Sequence, residues 1–404
     1  SLPGYHFFNV FLHIANSLLI YFIVLTLFKR KFLAGASSLV FATHPIHTEA
    51  VASFVARADL LSALFVLTAL WSYIKSWQFE FPKRLIFLGM SSVCLLAGLA
   101  SKESAACFSL IVIVYELCFN IFPLNKTRMP EKRVLLFKAA SLFFFLALTF
   151  AYVLLWRPYI TGQFGDLVMA EGVSPPGLLH NLPVIWRLTA FKAFAYYVKL
   201  TLWPIVLSGD YLYNQIPLTN QFSDPLVLIG LVLFLGFLLI GLWALIKGYS
   251  PLAFGIFFIY AAYAPVSNFA IPIGAIVGER LFYLPSFGFC LIVGLGFEHI
   301  LNRMQQNFSL QKATAITAIL LSLLTIGYGV RSFARNFDWK NPYVFFKKTG
   351  QTSPNSAVSH YSAAVAYLMM IEDNRNIKSW MKSGEIKKLG EEKDKGRSFL
   401  LSNG

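Results

Sequence analysis

The sequence predicts an all-α, polytopic membrane protein, and three observations support this prediction. The 404 residues are 57% hydrophobic and 13% charged, whereas soluble domains have roughly 45–50% apolar and about 25% charged residues. Apolar blocks of roughly 20 residues, the length that a helix needs to cross a bilayer, recur along the chain. Lys and Arg cluster in the short loops between these blocks, as the positive-inside rule expects.

The net charge of +15 could also indicate a nucleic-acid partner. No basic stripe with interleaved aromatic residues stands outside the apolar blocks. We therefore expect a lipid bilayer around the chain and no nucleic acid. The four cysteines lie within apolar segments without metal or redox spacing, and we expect them to pack as small core residues; they are Cys94, Cys107, Cys118 and Cys290.

About ten membrane spans are predicted, near residues 8–28, 32–43, 59–77, 85–100, 104–123, 134–156, 225–247, 251–268, 281–301 and 313–330. The block 32–43 is short for a crossing, so we expect it to continue past Pro45 or to re-enter the membrane. Basic residues fall in alternate loops, which we assign to the cytoplasmic side. The opposite side then receives three charged stretches and everything after residue 330.

The domain organisation follows from these spans. Residues 1–330 form the transmembrane domain, which includes a long loop at 157–224. The segment 185–206 within that loop is apolar but interrupted by three basic residues, so we predict an interfacial helix with Tyr196, Tyr197 and Trp203 at headgroup level. Residues 331–371 form a linker and one amphipathic helix near 356–371, and residues 372–404 form a charged, poorly ordered tail.

The first charged stretch contains His44, His47, Glu49, Arg57 and Asp59. Ionisable side chains next to membrane spans are costly and usually have a function. The histidines could ligate a metal, cap a helix or face a substrate; their spacing matches no strong zinc motif, and we name no metal ligands. Arg57 and Asp59 could form a local ion pair, or Arg57 could bind a phosphate that Asp59 orients, since the planar guanidinium suits phosphate.

The second and third stretches contain Lys102 with Glu103, and Glu279 with Arg280. Each pair could simply stabilise a helix end. Three basic residues on one membrane face, each near an acid, instead favour a site for a lipid-linked phosphate. We predict that Arg57, Lys102 and Arg280 bind the phosphate. The remaining candidates for the substrate pocket are His44, His47, Glu49, Asp59, Glu103 and Glu279.

Several motifs, in order, resemble the transmembrane and tetratricopeptide-repeat O-mannosyltransferases across roughly residues 5–368. They are His44-Pro-Ile-His-Thr-Glu-Ala-Val, Arg57-Ala-Asp-Leu-Leu-Ser-Ala-Leu-Phe, Ser101-Lys-Glu-Ser, Tyr197-Val-Lys-Leu-Thr-Leu-Trp-Pro, Pro265-Val-Ser-Asn, Pro272-Ile-Gly, Gly278-Glu-Arg-Leu-Phe-Tyr-Leu-Pro-Ser and Arg335-Asn-Phe-Asp-Trp-Lys. The stretch His360-Tyr-Ser-Ala-Ala departs from the family by lacking its Leu-Gly, and the tail after residue 371 does not resemble the family.

This resemblance implies a glycosyltransferase of the GT-C type. It implies transfer of mannose from dolichyl phosphate mannose to Ser or Thr hydroxyls of proteins, among them cadherin-type ectodomains, on the luminal face of the endoplasmic reticulum. It also implies that the catalytic base lies in a first luminal loop upstream of Ser1, so that the chain as given would be inactive alone. The use of a divalent metal stays open.

Three alternatives remain at this point. The chain could be a prokaryotic-type GT-C enzyme of an inner membrane that uses another polyprenyl-phosphate sugar, with its motifs facing the periplasm. A transporter would spread its charges across the membrane depth and show internal repeats, and neither feature is found in the sequence. A non-catalytic scaffold would not need the Lys-Glu and Glu-Arg pairs.

Overall fold

A computed structural model describes residues 2–121, 132–156, 182–212, 214–269, 273 and 275–372. Every regular element among these residues is a helix, in agreement with the predicted fold class. The α-helices are α1 Leu2–Phe28, α2 Lys31–Thr43, α3 Thr48–Ala52, α4 Arg57–Ser76, α5 Lys83–Ser101, α6 Cys107–Glu116, α7 Lys132–Ala151, α8 Leu182–Leu202, α9 Pro225–Ile246, α10 Ser250–Tyr263, α11 Ser286–Met304, α12 Leu310–Asn336, α13 Pro342–Thr352 and α14 Ala357–Glu372.

Seven helices in the described ranges are long and apolar enough to cross a membrane, so the chain is a multi-pass membrane protein. They are Gly4–Phe28, Arg57–Ser76, Lys83–Ser101, Glu103–Ile121, Arg133–Leu154, Pro225–Ile246 and Leu310–Trp339. Lys31–Thr43 and Ser250–Val266 are shorter apolar helices. The predicted span 281–301 corresponds to α11, which is not among the seven. Its last turns carry Glu298, which pairs with Arg30 at 2.7 Å.

The chain divides into two compact units, and the first comprises residues 1–166, 233–266 and 280–332. In this unit α4 packs along α5 and α1, and α2 packs against α1 and α11. Helices α10 and α11 cross at Gly255 and Gly288, where a Cβ on Gly288 would overlap the carbonyl oxygen of Gly255. Such small residues allow membrane helices to approach closely. The core of the unit lies between these helices.

The second unit comprises residues 167–232, 267–279 and 333–404. Its helix α8 corresponds to the predicted interfacial helix and begins three residues before the predicted start. Tyr197 is buried within the protein, and its hydroxyl bonds to both the N–H (3.0 Å) and the C=O (3.1 Å) of Gly278. Lys192 is also buried and pairs with Asp224 at 2.7 Å. The basic residues of α8 therefore contribute to packing within this unit as well as facing solvent.

The C-terminal part of the second unit contains two helices where the sequence predicts one. The predicted helix is α14, and α13 precedes it and packs against it. Asn341 caps α13, because its side-chain oxygen accepts a hydrogen bond from the Val344 N–H at 2.8 Å, and Pro342 follows at the first helical position, where proline is favoured. The predicted charged tail from residue 373, and residues 157–181 of the long loop, lie outside the described residues.

Candidate functional site

Lys102 and Asp59 form an ion pair in the first unit. Lys102 follows the last residue of α5, and Asp59 lies in the first turn of α4, where a carboxylate is favoured by the helix dipole. The Lys102 Nζ atom lies 2.5 Å from the Asp59 Oδ1 atom, and the two side chains are 21% and 8% exposed. Two of the predicted charged stretches therefore meet, as expected from their common membrane face.

The Glu49 carboxylate contacts both the backbone N–H and the side chain of Arg280. The Arg280 N–H donates to Glu49 Oε2 at 2.9 Å, and Arg280 Nε lies 3.6 Å from Glu49 Oε1. Glu49 is nearly buried, whereas the Arg280 side chain is 34% exposed. Glu49 therefore holds the backbone of Arg280 in place, and about a third of the Arg280 side chain stays exposed.

Asp59 and Arg280, one member of each ion pair, line a small pocket. Its polar lining consists of an acid, a base and three hydroxyl-bearing residues: Asp59, Arg280, Ser62, Ser104 and Tyr283. The rest of the wall is apolar and consists of Ala63, Ala262, Val266, Leu281, Leu284 and Pro285. A mostly apolar pocket with a few convergent polar groups is typical of a small-ligand site.

The two histidines of the first stretch have protein partners behind this pocket. His47 Nδ1 lies 2.8 Å from the Phe41 carbonyl oxygen, which can only accept, and Nε2 lies 2.7 Å from Ser286 Oγ. Burial lowers the pKa of His47 well below its usual value, and the nearby imidazoles of His13 and His44 lower it further. His44 caps the turn that follows it, accepting a hydrogen bond from the Ile46 N–H at 3.2 Å.

Three polar residues of α1 bond to segments around the pocket, and two of them, His13 and Asn16, contact its Tyr283; the sequence did not single them out. The Tyr283 hydroxyl lies 2.8 Å from His13 Nδ1 and accepts a hydrogen bond from Asn16 Nδ2 at 3.2 Å. Asn9 donates to the carbonyl oxygens of Val51 and Ser53, each at 3.1 Å. The spacing of Asn9, His13 and Asn16 by four and three residues places them on one helical face, and this was the available signal.

Arg57 does not line the pocket and does not pair with Asp59. Its Nε donates to Asn9 Oδ1 at 3.1 Å and one terminal nitrogen contacts the Tyr5 carbonyl oxygen at 3.4 Å. Its guanidinium carbon lies 4.7 Å from the ring centre of Tyr5 and 5.2 Å from that of Phe54. The structure thus gives Arg57 a packing role at the start of α4, and Lys102 takes the place that the sequence interpretation gave Arg57 beside Asp59.

Glu279 lies in a buried network of the second unit. Its Oε1 accepts hydrogen bonds from the Ser208 N–H at 2.6 Å and the Tyr211 hydroxyl at 2.7 Å. Arg335 Nη2 lies 3.9 Å from Glu279 Oε2, and Arg335 also pairs with Asp338 at 2.9 Å. Burial raises the pKa of Tyr211 well above its usual value, and the Glu279 carboxylate raises it further. Neither Glu279 nor Arg335 is exposed by more than 1%, so this network is structural.

Two further outcomes complete the site. Glu103, the remaining pocket candidate, is exposed and is absent from the pocket lining. Within the part of the chain that the structure describes, no group of three or more His, Cys, Asp and Glu side chains could hold a metal ion.

The helices and the pocket together define a multi-pass membrane protein whose described elements are all helical and which has a pocket lined by charged side chains. By sequence the chain is similar to several proteins that are named protein O-mannosyl-transferases. It is 30% identical to protein O-mannosyl-transferase TMTC4 of Homo sapiens, over 89% of this chain and 52% of the relative. It is 27% identical to Tmtc3 of Drosophila melanogaster (85% and 42%) and to TMTC3 of Homo sapiens (88% and 39%).

The chain thus spans about half or less of the length of these curated relatives, since it covers between 39% and 52% of them. No protein-family model matches the chain. No solved structure matches it significantly. The similarity to these relatives agrees with the resemblance carried by the motifs.

Proposed function

We propose that this chain is the donor-binding membrane part of a protein O-mannosyltransferase. The donor is dolichyl phosphate mannose, and the acceptors are Ser or Thr hydroxyls of proteins in the secretory pathway, including cadherin-type ectodomains. The pocket faces the lumen of the endoplasmic reticulum, on the side opposite the basic loops. The relatives, which are named protein O-mannosyl-transferases, support the reaction class, and the pocket supports an anionic, lipid-linked ligand.

The partly exposed side chain of Arg280 at the pocket is the observation that carries this proposal. Arg280 lies at a pocket whose wall is otherwise largely apolar, and its carboxylate partner leaves the side chain 34% exposed. Guanidinium groups bind phosphate by paired, charge-assisted hydrogen bonds. An Arg beside an apolar wall therefore suits a phosphate that is attached to a polyisoprenoid chain.

In the reaction, the acceptor hydroxyl oxygen attacks the anomeric carbon of mannose. The bond between that carbon and the phosphate oxygen breaks, and the phosphate keeps the electron pair. Arg280 stabilises the negative charge that grows on the departing phosphate. Lys102, which is ion-paired with Asp59, adds a second positive charge nearby. Preorganised charge of this kind carries much of enzymatic catalysis. A general base takes the proton of the hydroxyl.

Mannosyl transfer by the protein at its natural full length tests this proposal. We expect Arg280→Ala to lower turnover of dolichyl phosphate mannose about 10²-fold, and Arg280→Lys to restore part of it. Arg30→Ala is the matched control, because Arg30 is also basic and ion-paired, with Glu298, but is not among the pocket residues. Undiminished transfer by a correctly folded Arg280→Ala protein would contradict the proposed role of Arg280 in binding the phosphate.

A further inference from the structure

The hydroxyls of Ser62 and Ser104 face each other in the pocket without forming a good hydrogen bond. Their Oγ atoms are 3.5 Å apart, whereas O–H···O hydrogen bonds are usually about 2.5–3.0 Å long. Ser62 is only 2% exposed, and no other hydrogen bond of either hydroxyl occurs among the described residues. Buried polar groups are nearly always bonded, so an exception needs an explanation.

Asp59 brings a third polar atom to the same side of the pocket. Lys102 contacts its Oδ1 atom, and within the described part of the chain no donor reaches Oδ2. Asp59 and Ser62 are three residues apart on α4 and therefore share one helical face. Ser104 comes from the turn Glu103–Ala106 that follows α5. One acceptor and two hydroxyls thus converge beside Arg280.

Close packing at Gly98 fixes this arrangement. A Cβ on Gly98 would lie 3.1 Å from the Cβ of Ala105 and 3.3 Å from the Cβ of Phe65. Helix α5 therefore touches both α4 and the turn that carries Ser104. The spacing of the two serines is set by backbone packing, so they are held apart at a distance that a ligand hydroxyl can bridge.

We propose that Asp59, Ser62 and Ser104 form a sugar subsite that reads hydroxyl groups of the hexose carried by the lipid phosphate. A sugar hydroxyl both donates and accepts, so it can donate to Asp59 Oδ2 and bridge the two serines. Leu284 and Pro285 supply an apolar wall for the C–H face of the ring. The subsite rests on the proposed function and adds to it the residues that recognise the sugar.

The test compares mannosyl donors that lack single hydroxyls. A site built to bond a substrate hydroxyl strongly rejects an analogue without it. We expect the full-length protein to use at least one deoxymannosyl phosphate donor far less well than the mannosyl donor. In Ser62→Ala or Ser104→Ala, kcat/KM for the mannosyl donor falls about ten-fold. Transfer from the rejected deoxy donor stays unchanged, so the discrimination shrinks by the same factor.

Ser72→Ala is the matched control, because Ser72 is a buried serine of the same helix whose hydroxyl bonds to the Thr68 carbonyl oxygen at 2.7 Å. It should keep full discrimination. Binding of sugar-free dolichyl phosphate provides a second measurement, and Ser62→Ala and Ser104→Ala should bind it like the unmodified protein.

Two outcomes would overturn the sugar subsite alone: unchanged discrimination in active serine variants, or an equal loss of affinity for lipid phosphate with and without sugar. A full-length, folded protein that transfers no mannose from any donor would overturn the proposed function itself. The two failures are therefore distinguishable.

Discussion

Lys102 and Asp59 are 43 residues apart in sequence, yet the ammonium nitrogen of one lies 2.5 Å from a carboxylate oxygen of the other. The contact joins the end of α5 to the start of α4, next to the pocket that Arg280 also lines. It gives Asp59 a cationic partner at a place where an unpaired carboxylate would be costly. Asp59 is thus paired with Lys102, and Arg280 is paired with Glu49. The exposed part of the Arg280 side chain is therefore available to an anion.

The energetic coupling of this pair can be measured. Removing one partner of a buried ion pair leaves an uncompensated charge and costs about 3 kcal/mol. We expect Lys102→Met and Asp59→Asn each to lower the thermal unfolding midpoint in detergent. The double variant should be destabilised by clearly less than the sum of the two, because it leaves no unpaired charge. Strictly additive effects would show that the contact contributes nothing to stability.

The sequence could predict the fold class and the meeting of the charged stretches, because both follow from hydropathy and loop charge. It could not predict the partners. Arg57 and Asp59 were considered as a pair because they are close in sequence, but residues at i and i+2 of a helix do not face each other. Glu279 and Arg280 are adjacent, yet their side chains bind different residues. Which partner each charged side chain binds therefore depends on tertiary packing.

Uncharged polar residues were missed for a related reason. A search for charges in apolar segments passes over Asn9, His13 and Asn16, although their common helical face was visible in the sequence. Helix α13 has only a short apolar pattern, so hydropathy alone does not predict it; the Asn341-Pro342 pair at its start is the sequence signal for it. The Asp59–Ser62–Ser104 cluster combines a span with a distant turn, so only the folded chain places its members together.

Arg57 provides a direct test of the structure against the sequence interpretation. Its guanidinium lies over aromatic rings and bonds to Asn9, and such cation–π contacts contribute about 0.5–1 kcal/mol at accessible sites. Arg57→Ala should therefore lower the thermal midpoint modestly while donor binding changes by less than about two-fold. Donor binding measured with labelled dolichyl phosphate mannose checks this. A loss as large as that of Arg280→Ala would restore Arg57 as a phosphate ligand.

The Glu279 network should control the stability of the second unit. Arg335→Met removes a cation that lies 3.9 Å from the fully buried Glu279 carboxylate, and a loss of about 3–5 kcal/mol is expected. Hydrogen exchange of residues 207–212 and of α13 reports this loss locally. Lys348→Met, a change of a basic residue on α13 whose side chain is exposed, is the control. Equal exchange in both variants would argue against a structural role for the network.

His47 should make the first unit less stable in acid. Its pKa is lowered well below the usual 6.5, so between the folded and unfolded pKa values only the unfolded chain binds the proton. The free energy of unfolding therefore falls as the pH drops below about 6.5, by up to about 1.4 kcal/mol per pH unit for this one group. His47→Gln cannot take up a proton, so it should destabilise the protein at pH 8 but lose less stability on acidification. Thermal midpoints in detergent between pH 8 and pH 5 measure the difference, with His299→Gln, at an exposed histidine of α11, as the control. Parallel pH profiles for the unmodified protein and His47→Gln would show that another group senses the pH.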